Sequence, residues 1–116
     1  MTMERELNYG PLLDALIKKS AEGKLEWHET ADENTFIAAV KGEQTYVVSL
    51  QTRRLPFENA NRPIYKLTAK DREGKVFLET PDAVLPKAQE LFVLARRIAR
   101  RSDQQLDAAV ELLNNL

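Results

Sequence analysis

The stretch TFIAAVKGEQTYVVSL, residues 35–50, decides the fold. It contains two runs with period-two alternation, separated by the polar link KGEQ. Aromatic and β-branched residues suit a pleated, half-buried surface, and Gly42 tolerates the positive φ that a tight turn requires. The stretch therefore predicts an antiparallel hairpin. One face of it carries these apolar side chains: Phe36, Ala38, Val40, Tyr46, Val48 and Leu50.

Composition limits the chain to one ordinary globular unit. It has 116 residues, 43% of them hydrophobic and 30% charged, with a net charge of −1 and no cysteine. We predict a flexible N-terminus over residues 1–10 and a single domain over residues 11–116. Disulfides and thiolate chemistry are excluded, and no apolar run has the length of a signal peptide or a membrane span. We expect a cytoplasmic protein that does not bind membranes.

Three helices flank the hairpin in the predicted order of elements. The first begins at Gly10 and Pro11 and stops at Gly23. The second has Thr80 or Asp82 as its N-cap and Pro86 in its first turn. Its apolar stripe consists of Leu85, Ala88, Leu91, Phe92, Ala95, Ile98 and Ala99. The segment SDQQ, residues 102–105, has the form of a capping box, which predicts a break and a third helix.

Three further strands are predicted over residues 25–29, 65–70 and 75–79, whereas residues 52–63 are predicted to lack regular structure. The fold class is α+β, a five-stranded antiparallel meander in the order α-β-β-β-β-β-α-α with the helices mainly on one face. The predicted buried sheet face consists of Leu25, Trp27, Phe36, Ala38, Val40, Tyr46, Val48, Leu50, Tyr65, Leu67, Val76 and Leu78. We expect Phe36→Ala to cost about 3–5 kcal/mol in a thermal melt.

Two parts of the chain carry a resemblance to known proteins. The first is Leu12-Leu13, Ile17, Gly23-Lys24-Leu25-Glu26-Trp27, Phe36 and Tyr46-Val47-Val48; the second is Ala95-Arg96-Arg97, Asp107 and Leu112-Leu113. This pattern resembles small bacterial and phage-borne α+β proteins of no assigned function. The resemblance implies a bacterial context and an α+β fold, and it transfers no catalytic residue.

Residue types that support catalysis or metal binding occur without a recognisable motif. His28 is the only histidine, and Glu26 or Glu29 would be its only nearby ligand partners. The acidic loop with Glu29, Asp32 and Glu33 lacks the spacing of an EF-hand. The serines lie in no nucleophile elbow, and the glycines form no phosphate loop. We therefore predict no catalytic, metal-binding or cofactor-binding residues, and a protein that is not an enzyme.

The second predicted helix has a cationic side formed by Arg96, Arg97, Arg100 and Arg101. One interpretation is a solvated face that favours the negative end of the helix dipole. The other is a nucleic-acid interface that binds phosphates. The second interpretation gains support if Arg53, Arg54 and Arg62 lie beside this cluster.

Apolar residues outside the predicted core are candidates for partner binding. Leu55 and Phe57 either plug the core or contact a partner. On the outer sheet face, Ile37, Ala39, Val47 and Phe77 form an association patch unless a C-terminal helix covers them. Leu112 and Leu116 widen the apolar arc of the last helix.

These candidates favour a non-enzymatic protein-binding or regulatory module that uses Ile37, Val47, Phe77, Leu55, Phe57, Leu112 and Leu116. A homodimer is expected. The alternative is a nucleic-acid-associated protein that uses Arg96, Arg97, Arg100, Arg101, Arg53 and Arg54.

Overall fold

The structure, a computed structural model, describes residues 9–54, 61–81 and 85–116. The elements are α1 Gly10–Ala21, β1 His28–Glu29, β2 Thr35–Val40, β3 Gln44–Arg54, β4 Asn61–Lys70, β5 Val76–Glu79, α2 Pro86–Ala99 and α3 Ser102–Asn114. The five strands form one sheet in the order β1-β2-β3-β4-β5, and every neighbouring pair is antiparallel. The predicted α+β meander is confirmed.

The β2–β3 hairpin has the predicted turn and the predicted apolar face. Phe36 lies opposite Val48, and Ala38 lies opposite Tyr46, so alternate side chains of both strands share one face. Lys41 and Gly42 both have positive φ, at 51° and 70°. Two consecutive positive φ values match the twist of antiparallel strands, which is why a glycine is favoured here.

The connection after this hairpin is more regular than the sequence predicted. β3 continues to Arg54 and β4 begins at Asn61, so the two strands extend together beyond the body of the sheet. Pro63 lies within β4 opposite Thr52. The prediction of irregular structure over residues 52–63 is wrong at both ends, because a proline removes one hydrogen-bond donor from a strand but does not prevent the strand from pairing.

The core lies between one sheet face and two helices, α1 and α2. It includes Trp27, Phe36 and Leu67 from the sheet side and Leu91 and Phe92 from α2. Every residue of the predicted buried face belongs to this core or packs against it, except Val76, which is 52% exposed. The pairing of β4 with β5 has an irregularity between Ala69 and Lys70, which takes Val76 out of the expected alternation.

α2 begins where its proline predicts, but not with the expected cap. Its N-cap residue is Leu85, and Pro86 is the first helical residue. Thr80 is buried, and its hydroxyl oxygen accepts a hydrogen bond of 2.9 Å from the backbone N–H of Leu67. The Thr80 cap prediction is wrong because this hydroxyl serves the β4 strand instead. Asp82 lies outside the described residues.

α3 follows α2 after a sharp bend, as predicted. Arg101 occupies the N-cap position in the left-handed region, with φ 51° and ψ 45°. Ser102 is therefore the first helical residue rather than the cap, and no side chain caps this terminus. The capping-box prediction is wrong in register, although the break that it marked is real. Among the described elements α3 contacts only α2.

Candidate functional site

α3 is an amphipathic helix without a covering surface in the described part of the chain. None of its residues is buried. Its large apolar side chains are exposed, from 50% for Val110 to 70% for Leu112, and Leu116 just beyond it is fully exposed. At 3.6 residues per turn, Leu106, Val110 and Leu113 lie on one side of the helix. This apolar face consists of Leu106, Ala109, Val110, Leu113 and Leu116.

The charge on α3 has a single sign. Residues 102–116 contain Asp103, Asp107 and Glu111 but no lysine or arginine. Asp107 lies beside Val110 at one edge of the apolar face, and Glu111, one turn later, lies toward the opposite side of the helix. The helix therefore presents leucines beside a negative edge, an arrangement suited to a partner that is apolar with basic surroundings.

The bend between α2 and α3 is held by two side-chain contacts. The Arg97 guanidinium binds both carboxylate oxygens of Asp103, with Nη2–O distances of 2.9 and 3.0 Å. The side-chain amide of Gln105 donates a hydrogen bond to the backbone carbonyl of Arg100. Together with the left-handed Arg101, these contacts set the direction in which α3 leaves the body.

The four arginines at and just beyond the end of α2 do not form one open face. Arg96 stacks over the Phe92 ring with 5.4 Å from Cζ to the centroid. Arg100 lies 5.6 Å from the Phe36 centroid, donates a 3.0 Å hydrogen bond to the carbonyl of Glu33 and faces the carboxylate of Glu29 at 3.5 Å. These contacts anchor the end of α2 to the β1–β2 loop.

The remaining candidate arginines lie on the extension of β3 and β4. Arg53 and Arg62 are directly opposite each other, and Arg54 follows Arg53 in the strand. The extension continues from Leu50 and its partner Tyr65, whose ring is 5.4 Å from that of Phe92. At 3.3 Å per residue, Arg53 lies about 10 Å along β3 from this point. Both arginine groups thus lie toward the same end of the sheet.

The outer sheet face is mixed rather than a continuous apolar patch. Ile37 and Val47 are paired across β2 and β3 and are both half-buried. Phe77 is 45% exposed on β5, and β4 separates it from that pair. No described helix contacts this side, since α2 packs on the core face and α3 contacts only α2. Leu55 and Phe57 lie outside the described residues.

A groove between the first two helices was not predicted. We call it the α1/α2 groove; it has a volume of about 510 Å³ and is lined by Ile17, Ala21, Pro86, Gln89, Glu90, Val93 and Leu94. It adjoins a cavity of about 410 Å³ at the bend, which is also lined by Ala21 and Leu94, with Arg97 and Arg101 at its margin. Val93 is 45% exposed. Val93 and Leu94 lie beside the predicted apolar stripe of α2. This extra apolar width was the sequence feature that could have indicated the groove.

The candidates for chemistry remain isolated side chains. His28 is exposed, with its Nε2 atom 3.8 Å from the carboxylate of Glu26. Within residues 9–54, 61–81 and 85–116, no three His, Asp or Glu side chains converge as metal ligands would. Burial of Tyr46 raises the pKa of its hydroxyl above the ordinary value of 10.

The chain matches no known protein family, no curated protein and no solved structure. Its described helices include none with the length and apolar character needed to cross a bilayer.

Proposed function

We propose that this protein is a non-enzymatic protein-binding module and that α3 is its binding element. The observation that carries the proposal is the exposure of the whole apolar face of a regular helix. An isolated helix of 13 residues is marginal in water and normally gains its stability by packing an apolar face against another surface. Exposed apolar patches with polar margins are typical of association sites.

The mode of binding that fits α3 is a helix laid into a groove. Such helices place residues spaced by three and four positions into apolar pockets of the partner. Leu106, Val110 and Leu113 have this spacing. Asp107 would then select partners with basic residues beside the groove. The proposed location is the cytoplasm, because a chain without cysteine has no dependence on disulfides.

Site-specific photocrosslinking tests this proposal. A benzophenone amino acid replaces Val110 on the apolar face, or Ala108 as the matched control, in cells that express the protein. Two residues of a helix span about 200°, so the two probes point in nearly opposite directions. We expect covalent protein adducts from position 110 and few from position 108. Equal labelling from both positions, or no adduct from either, would remove α3 as the binding element.

Nucleic-acid binding is the second proposed candidate, supported by Arg53 and Arg62. These two arginines lie directly opposite each other in the β3–β4 pairing, which places two cationic side chains on one face of the extension, where they could contact phosphates. Arg54 adds a third positive charge on the same extension.

A salt titration tests this second candidate. In fluorescence anisotropy with a labelled duplex, binding should weaken with salt, and each lost phosphate contact should lower the logarithmic slope by about 0.9. Arg54→Ala and Arg62→Ala should reduce the slope, whereas Arg72→Ala in the β4–β5 turn should not. Absence of binding at low salt would exclude the candidate.

A further inference from the structure

We propose that the partner of α3 is a second copy of this chain, and that each copy lays its α3 into the α1/α2 groove of the other. This inference rests on the proposed function, since it names the partner of the same helix. It assigns two uncovered apolar surfaces of the chain to each other.

The two surfaces agree in length. α3 has 13 residues, and the groove together with the adjoining cavity follows α2 over the 13 residues from Pro86 to Ile98. At 1.5 Å per residue, both are about 20 Å long. The groove contains side chains of branched shape, Val93 and Leu94 from α2 and Ile17 from α1. A third helix placed there would extend the α1 and α2 layer by ordinary helix packing.

The charge of the partner's α3 is complementary to that of the groove at the end beside the bend. Arg97 and Arg101 line the adjoining cavity; Arg97 is paired with Asp103, the only acid among the lining residues, so Arg101 supplies the excess positive charge there. Arg101 is exposed. The partner's α3 carries Asp107 at the edge of its apolar face, so this carboxylate would face the positive charge of Arg101. Two α3 helices packed against each other would instead bring six acids together without a basic residue from either helix.

The size of the contact favours a reciprocal exchange. A helix is about 10 Å across with its side chains, so half of the curved surface of α3, over its length of about 20 Å, covers about 300 Å². Each copy would contribute one helix strip and one groove strip, which gives about 1,200 Å² in total. This is the lower limit for stable, specific interfaces. A single helix pair would bury about half as much.

The bend explains why the helix of the same chain does not fill its own groove. A return of α3 onto α1 and α2 would have to change the backbone at Arg101 and break the bidentate contact between Arg97 and Asp103. Exchange between two copies keeps both. An exchange of the same element between two copies of a chain is a low-cost route to a dimer.

Disulfide trapping with the purified full chain tests the exchange. The chain has no cysteine, so each introduced thiol is unique. Val93→Cys and Val110→Cys place thiols near the middle of α2 and of α3, which makes the test independent of helix direction. A mixture of the two single variants should give the mixed disulfide dimer under mild oxidation. Val76→Cys, exposed on β5, is the matched control and should not crosslink to Val110→Cys.

Light scattering on the same protein gives an independent readout. The wild type should have twice the 13.2 kDa mass of one chain at high micromolar concentration. Val93→Glu should have the mass of one chain and unfold like the wild type, whereas Val76→Glu should remain a dimer. Both substitutions are at exposed positions, so loss of folding is not expected.

Three results would overturn the exchange. They are a wild type with the mass of one chain, a dominant Val110→Cys self-dimer, and an intrachain disulfide in a chain that carries both cysteines. If the chain is a monomer but photocrosslinking from position 110 captures a different protein, the proposed function stands and only the second copy is rejected.

Discussion

α2 and α3 are adjacent amphipathic helices of nearly equal length, and only one of them is covered. α2 buries Ala88, Leu91, Phe92 and Ala95 against the sheet and α1. α3 buries nothing among the described residues. An apolar stripe therefore predicts a helix and a contact surface, but it does not indicate which molecule supplies the other side of that contact.

The largest expected effect is a contrast between two leucines. Leu91→Ala in α2 removes a fully buried side chain and should lower the free energy of unfolding by about 2–5 kcal/mol. Leu113→Ala in α3 should change it by less than about 0.5 kcal/mol, because the side chain is already 67% exposed. Urea denaturation at low protein concentration measures both. Equal losses would mean that α3 is covered within the single chain.

A second contrast compares two serines. The indole N–H of Trp27 donates a buried hydrogen bond of 2.9 Å to the hydroxyl oxygen of Ser20. Ser20→Ala leaves that donor without a partner and should cost about 1–3 kcal/mol. Ser102→Ala at the start of α3 is the matched control, and it should cost less than about 0.5 kcal/mol because Ser102 makes no capping hydrogen bond. A large loss in Ser102→Ala would contradict the uncovered state of α3.

The sequence predicted the sheet well because its strands are half-buried. Period-two alternation predicts a common face for Phe36, Val48 and Leu67, which they share. The predicted strand over residues 25–29 is wrong in length, since β1 covers only His28–Glu29, although Trp27 before it is buried in the same core. The same rule failed for Val76, since a bulge in the β4–β5 pairing changes which face a residue takes without a clear mark in the sequence.

The candidate site was harder to predict because it depends on how helices are placed. Leu112 and Leu116 were recognised as apolar, but their exposure follows from the direction of α3, which the backbone at Arg101 sets. The sequence of the arginines does not indicate that Arg97 binds Asp103 or that Arg100 binds the loop carbonyl of Glu33. The α1/α2 groove likewise arises from the spacing of two helices that are distant in the sequence.

A smaller effect is expected from the contact at the bend. Arg97→Ala removes an exposed ion pair with Asp103, which should cost less than about 1 kcal/mol of global stability. Amides in the first turns of α3 should exchange up to about fivefold faster in the monomer, whereas those of α2 from Ala88 to Ala95 should be unchanged. Hydrogen exchange with mass spectrometry resolves the two helices. Arg72→Ala is the control and should alter neither.

The smallest effect is expected at alkaline pH, which should destabilise the packed core around Tyr46 but not α3. Burial raises the pKa of Tyr46 above 10 in the folded chain, so the folded state retains its proton at a pH where the unfolded chain loses it. The associated stability is therefore fully present below pH 10 and is lost as the pH rises through the folded pKa. Tyr46→Phe should have a flatter stability profile above pH 10. Residues 102–116 contain no tyrosine or lysine, so the exchange rates of α3, corrected for intrinsic pH dependence, should not follow this titration. If the exchange rates of α3 did follow the titration of Tyr46, α2 and α3 would unfold as one unit. The two helices would then differ in exposure but not in stability.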